Sequence, residues 1–260
     1  MTACWIVDLG LIGYAEAFAL QKRVVAARKA EAIGDVLLLC EHPHVITLGR
    51  SGKRENLLAS ERVLAQKGVG FHATNRGGDI TYHGPGQIVG YPVIQLAAIR
   101  RDVVWYVRML EEVMIRTCAD FGIAARREEG KTGAWIDPQK KDSQQRAQSS
   151  QSSEKAEAAE KIGAIGVHIS RWITSHGFAF NVATDLRYFE LIVPCGIAER
   201  KATSLEKVLG RAVKRNEAAP RIVEHFGQVF GREPQHTTRE ELLAALQRFE
   251  REQQAVAVPA

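Results

Sequence analysis

Residues 161–182, KIGAIGVHISRWITSHGFAFNV, hold two runs of alternating apolar residues, Lys161–Val167 and His176–Val182, separated by Ser170–Ser175. Alternation at period two marks strands with one buried face, and two such runs this close predict neighbours in one sheet. Upstream, the short apolar runs Asp35–Glu41 and Val45–Leu48 flank His42-Pro43-His44 and read as two strands around a turn, because Pro43 cannot donate to a ladder. Residues 76–93, RGGDITYHGPGQIVGYPV, carry five glycines and two prolines among eighteen positions and place an alternating Ile80/Tyr82 strand between sharp loops.

Helices fill the intervals. Val103, Val107, Leu110, Met114, Thr117 and Phe121 follow one another in steps of four and three, an amphipathic stripe closed by Gly122 that should pack on the sheet. Tyr14 to Ile33 is Ala-, Glu- and Lys-rich without Pro or internal Gly, and predicts a helix ended by Gly34. Asn56 is placed to cap a short helix reaching Lys67, stopped by Gly68. Two more are expected at the end: Pro220–Phe230, with Pro at its start, and Thr238–Gln253, opened by the capping box Thr238-x-x-Glu241. Strands mixed with helices, without regular βαβ alternation or a G-x-G-x-x-G turn, predict an α+β fold, a mixed sheet flanked by helices in a single domain over residues 1–260.

The chain has 260 residues, 45% hydrophobic and 25% charged, which excludes fibrous and wholly disordered classes. The longest apolar run, Val36–Cys40, is far short of a bilayer span, and no basic segment leads an apolar one at the N-terminus, so a cytoplasmic protein with no membrane partner is expected. Asp137–Glu160 contains no Val, Ile, Leu, Phe, Trp or Tyr and is expected to be a disordered surface insertion. Cys4, Cys40, Cys118 and Cys195 lie far apart without a CxxC pair and read as reduced thiols. The net charge of +5 suggests an acidic partner, but the basic residues are interleaved with acids and lack an aromatic stripe, so nucleic acid is not expected.

Few residues stand out for chemistry. Cys195 lies in Val193-Pro194-Cys195-Gly196-Ile197, where Pro and Gly deny it a regular element and present the sulfur at a turn, although free cysteines are most often small buried hydrophobes. Lys161 opens an apolar strand directly after the polar insertion; an ammonium beside a thiol favours the thiolate, and otherwise it is a solvated strand-start lysine. His83 ends the Ile80/Tyr82 strand, facing a cleft or serving as a structural histidine, and Gly77, Gly78, Gly84 and Gly86 let backbone N–H groups approach a ligand or simply make turns. Cys40, His42 and His44 do not match a zinc spacing, and no metal is expected.

Taken in order, RGGDITYHGPGQIVGYPV (76–93), GKTGAWI (130–136), KIGAIGVHIS (161–170), HGFAFNV (176–182) and PCGI (194–197) resemble the lipoyl(octanoyl) transferase family over roughly residues 30–215. The resemblance implies the fold of biotin and lipoate protein ligases, octanoyl-acyl carrier protein as donor, and a lysine of a lipoyl domain as acceptor. Such domains sit in the E2 subunits of 2-oxoacid dehydrogenases and in the glycine cleavage H protein. It makes Cys195 the acyl-thioester nucleophile and Lys161 the residue that lowers its pKa, with no cofactor. It implies substrate binding by Arg76, Gly77, Gly78, Asp79, Ile80, Thr81, Tyr82 and His83, by Ala164, Ile165 and Gly166, and by Gly177, Phe178 and Ala179. Arg50, Lys53, Arg54, Arg76, Arg100 and Arg101 become candidates for a basic rim that steers acidic carriers. The competing expectations are an ATP-dependent ligase of the same fold, which does not require the cysteine, and a carrier-binding module without activity.

Overall fold

Described in the computed structural model are residues 2–138, 158–193 and 201–257, with the side chains of residues 256 and 257 left out. The segment Asp35–Glu41 forms a strand, β2, buried along its length except at its last residue, because both faces are covered: Leu37 and Leu39 point to one core, Val36, Leu38 and Cys40 to another. Such a continuous apolar run is what a strand between two helical layers requires. Around it, β1 (Thr2–Leu11), β6 (Gln87–Val93), β7 (Ala125–Glu128), β8 (Lys131–Ile136), β9 (Glu160–Ser170), β10 (Ile173–Asn181) and β11 (Arg232–His236) complete an eight-stranded sheet in the order β11-β1-β2-β6-β10-β9-β8-β7. β1 runs parallel to β11 and β2, and every other pair is antiparallel. A second sheet, β4-β3-β5, joins β3 (Val45–Leu48), β4 (Gly70–Ala73) and β5 (Ile80–His83).

On one face of the large sheet lie α3 (Val103–Ala119) and α5 (Arg215–Phe230), with Leu110, Met114 and Phe226 against Ile88, Ile162 and Phe180. On the other lie α1 (Tyr14–Lys29) and α6 (Arg239–Ala257), with Leu20, Val24 and Leu246 against Leu38, Val89 and Ala179. The remaining helices are short, α2 (Glu61–Gln66) and α4 (Leu205–Leu209). This mixed sheet between helices is the α+β arrangement expected.

Several boundaries differ from the sequence reading, each for a local reason. The 76–93 segment makes two strands, not one: β5 belongs to the small sheet and β6 to the large, joined at Gly84-Pro85-Gly86. Asn56 caps nothing; its amide donates to Asp79 Oδ2 at 2.6 Å, and Ser60 caps α2 by accepting from the Val63 N–H. The first helix ends at Lys29, four residues before Ile33, where Glu31 turns left-handed. Pro220 lies inside α5 and not at its start, while Thr238 and Glu241 form the reciprocal cap expected for α6. The interior of the polar insertion lies outside the described residues, but its ends are ordered. Asp137 pairs with Arg126, and Glu160 already belongs to β9 and pairs with Lys207. Among the described residues no helix is long and apolar enough to cross a membrane.

Candidate active site

The three strands β6, β10 and β9 lay a floor of short side chains between the two sheets. Their register sets Gln87 beside Asn181, Val89 beside Ala179 and Ala164, and Gly177 beside Gly166. Small residues on a sheet face leave space above it, and here a cavity of about 120 Å³ opens over this grid. The loop after β4 closes it from the side. The Gly77 N–H donates to Val167 O at 2.9 Å, and a side chain at Gly166 would press on Gly77 O and on Arg76 Cδ, so the missing Cβ is what admits the loop.

Lys161 reaches this cavity through a break in the ladder. β8 and β9 pair Ala134 with Gly163 but Trp135 with Lys161, which leaves Ile162 as an extra residue. Ile162 is fully buried on the α3 side, and a Cβ on Gly163 would also strike Met114 there, so two consecutive residues face the helix. Strict alternation would have put Lys161 on that face too; the bulge re-aims it to line the cavity with Ala164. Its ammonium lies 4.5 Å from the centroid of the Trp135 ring. A short parallel clamp holds its backbone: the Lys161 N–H donates to Lys201 O at 3.0 Å, and Lys161 O accepts from the Thr203 N–H at 2.9 Å.

A buried chain of amides ties that clamp to the cavity wall. Asn181 donates to Thr203 O at 2.9 Å and accepts from Gln87 Nε2 at 2.9 Å, and Gln87 Oε1 accepts from His83 Nδ1 at 2.7 Å. This fixes the His83 proton on Nδ1. Burial, with His42 and Arg76 nearby, pushes the His83 pKa down to about 3, and burial with Arg76 and His168 does the same to His176. Both rings are therefore neutral at physiological pH and poor general bases, and the lysines that line the cavity are Lys161 and Lys201.

Between about pH 3 and 6.5 the unfolded chain protonates these histidines and the native chain does not, so stability is full above that window and falls as pH drops through it. Denaturant titrations at about pH 6.5 and 5.5 should show a loss of roughly 1 kcal/mol per histidine. The His83→Gln variant should lose about 1 kcal/mol less than the parent over the same interval; an unchanged pH slope would contradict the assignment.

The sequence-derived positions divide. Arg76, Gly78, Asp79, Ile80, Thr81 and His83 border the cavity, as do Ala164, Ile165, Gly166, Gly177, Phe178 and Ala179. Gly77 is spent on β9. Tyr82 faces away into the small-sheet core, where its hydroxyl bonds His44 Nδ1 at 2.7 Å and its ring stacks on Tyr188. Arg76 is only 8% exposed and donates to Thr47 O, Thr47 Oγ1 and Gly77 O, so it is an interior cation and no part of a rim. Arg50, Lys53, Arg54, Arg100 and Arg101 are exposed, with Lys53, Arg54 and Arg100 already paired to Glu55, Glu61 and Asp102. Asp79 braces the neighbouring loop: it accepts from Asn56, whose carbonyl holds the Val193 N–H at 2.8 Å.

Cys195 lies outside the described residues. Burial pushes the Cys4 and Cys118 thiols up to about 12 and the Cys40 thiol higher still, so none of these three is a nucleophile. His42 engages Ile12 O and the Tyr91 hydroxyl, and no group of three metal-ligating side chains occurs among the described residues. Sequence reading missed Tyr14, Gln87, Tyr91, Trp135 and Asn181 as cavity residues. For Gln87 and Asn181 a signal existed, a polar amide at an inward strand position; for Tyr14, a helix residue distant in sequence, there was none.

Residues 13–227 match the family described as the lipoyl protein ligase A/B catalytic domain. An octanoyltransferase of Acidobacterium capsulatum is 50% identical over 87% of this chain and 89% of its own length. One of Solibacter usitatus is 47% identical over 88% and 94%. Among solved structures, a bipartite lipoate protein ligase from Thermoplasma acidophilum superposes with a TM-score of 0.70 at 14% identity, covering 96% of this chain and 92% of that one, a likeness of fold.

Proposed function

Because the chain belongs to the lipoyl protein ligase A/B catalytic domain family and, within it, to the octanoyltransferases, we propose that it moves an octanoyl group from octanoyl-acyl carrier protein to a lysine of a lipoyl domain through a thioester on Cys195. The observation that carries this reading is Lys161, turned by a bulge to line a cavity floored by Ala164, Ala179 and Val89. An apolar trough ending at an ammonium suits an acyl chain whose reacting carbonyl stops at the cation.

In the first step the Cys195 thiolate attacks the donor carbonyl, the C–S bond to the carrier's pantetheine breaks, and the leaving thiolate takes a proton from the Lys161 ammonium. In the second, the acceptor lysine amine attacks the Cys195 thioester, gives its proton to the Lys161 amine, and the Cys195 thiolate departs as the amide forms. Thioester to thioester is nearly even in free energy and thioester to amide runs downhill, so no nucleotide or metal is required. Arg76 to His83, Ala164 to Gly166 and Gly177 to Ala179 then supply the acyl and carbonyl contacts, with Gly77 and Tyr82 acting through the loop and sheet they hold. The acceptors in this reading are the lipoyl domains of 2-oxoacid dehydrogenase E2 subunits and the glycine cleavage H protein, and the setting is the cytoplasm, where thiols stay reduced.

The test is intact mass of the protein after incubation with octanoyl-acyl carrier protein and no ATP, with Cys195→Ala alongside. A hydroxylamine-labile octanoyl adduct, absent from the variant and discharged by an apo lipoyl domain, is the expected result. Lipoyl-domain modification that appears only with ATP and free octanoic acid would instead assign the chain a ligase reaction.

A further inference from the structure

The residues that line the cavity run from Lys161 on β9 across β10 and β6 to Tyr14 on α1. We propose that the Tyr14 ring sets the longest acyl chain this enzyme accepts. The inference rests on the acyl-transfer reading above and adds a length limit to it.

The distance is fixed by the sheet. From Ala164 on β9 through Ala179 on β10 to Val89 on β6 are two inter-strand steps, roughly 10 Å in all, the reach of an extended eight-carbon chain. Along that line the side chains are short. Beyond Val89 the cavity meets Tyr91 and Tyr14. Tyr14 lies in the first turn of α1, is 6% exposed, and stands among the rings of His42, His72 and His83 at 5.5, 5.3 and 6.3 Å between centroids.

The polar rings beside it cannot part as an aliphatic wall can. The Tyr91 hydroxyl donates to His42 Nε2 at 2.7 Å, and His42 Nδ1 donates to Ile12 O at 2.8 Å, so one wall is hydrogen-bonded back to the main chain. His83 is likewise held by Gln87. A chain longer than the trough must break these bonds or displace the Tyr14 ring. Truncating the ring to a methyl group leaves the bonded wall in place and opens space directly in line with the chain.

Octanoyl-, decanoyl- and dodecanoyl-acyl carrier protein competing in one reaction without ATP, read by intact mass of the acyl-enzyme, give a ratio that does not depend on how much of the preparation is folded. Tyr14→Ala should raise the decanoyl-to-octanoyl ratio about tenfold, since two newly buried methylenes are worth that factor. Tyr14→Phe retains the ring and should retain the wild-type ratio, whatever its rate. Should Tyr14→Ala fail to fold, Tyr14→Val makes the same opening. A wild-type ratio in the truncated variant puts the limit elsewhere and overturns the proposal. If the wild-type protein accepts no acyl group from any carrier, the transfer reading falls on its own; calorimetric affinities for octanoic and decanoic acid then report the depth, and Tyr14→Ala must show the same shift.

Discussion

Lys161→Met is expected to slow acyl-enzyme formation by about two to four orders of magnitude, the range for loss of a positioned proton donor and acceptor. Methionine is the informative replacement because it keeps an unbranched stem over the Trp135 ring and beside Gly133, where the lysine stem now runs, while deleting the ammonium. The backbone clamp from Lys201 and Thr203 is untouched by the change, so the fold should persist. Lys161→Arg separates two roles. A guanidinium still stabilises a thiolate by its charge, but it cannot release and retake a proton at neutral pH. If Lys161 only lowers the Cys195 pKa, Arg should recover most of the rate; if it also moves protons between thiol, pantetheine and amine, Arg should recover little and should flatten the pH profile. Single-turnover rates across pH for the three proteins decide it, and a Met variant with near-native rate would remove Lys161 from the mechanism.

The path from sequence to this site was uneven for identifiable reasons. Strands β2 and β3, the α3 stripe and the Thr238 cap were legible because each is fixed by residues within a few positions of one another. The motif segments at 76–83, 164–166 and 177–179 do converge on one cavity, and the pairing of the last two as strand neighbours followed from alternation alone. The direction of Lys161 did not. Reading 161–167 at period two puts Lys161 on the same face as Gly163 and Ile165, and only the pairing with β8 reveals the extra residue that reverses it. Arg76 illustrates the opposite error, since the positive net charge and acidic carriers group it with the rim cations, whereas the hydroxyl and carbonyl of Thr47, from a different strand, accept from its guanidinium inside. β1 and β11 escaped notice because they pair with each other across nearly the whole chain.

Glu111 is the other residue no motif announced, and replacing it should have the largest effect on stability. Its carboxylate, fully buried on α3, accepts from the Gly133 N–H at 3.0 Å and meets Arg108 Nη1 at 2.8 Å and Arg127 Nε at 3.2 Å. The two guanidinium groups are partly exposed, and were the carboxylate exposed as well the pairs would be worth about 1 kcal/mol at most. Burial changes the balance. Glu111→Leu leaves the Gly133 N–H facing an apolar side chain, while Arg108 and Arg127 stay partly solvated and Arg127 keeps Glu112, so the cost is that of one buried unsatisfied donor, about 1–3 kcal/mol. For a chain of this size that is a fall of about 5 °C in Tm. Glu111→Gln keeps an acceptor for Gly133 and gives up only the charge, so it should cost less, about 1 kcal/mol at most. The consequence extends to the site, because Gly133, held at a φ of +125°, has its Cβ position 3.3 Å from Lys161 Cε. A Gly133 released from Glu111 no longer fixes the wall beside the lysine stem. Measured at a temperature where both variants are folded, Glu111→Leu should therefore lower the rate of acyl-enzyme formation more than it weakens carrier binding, and Glu111→Gln should restore most of that rate. A Leu variant as stable as the parent would show that the carboxylate is not what holds β8 to α3.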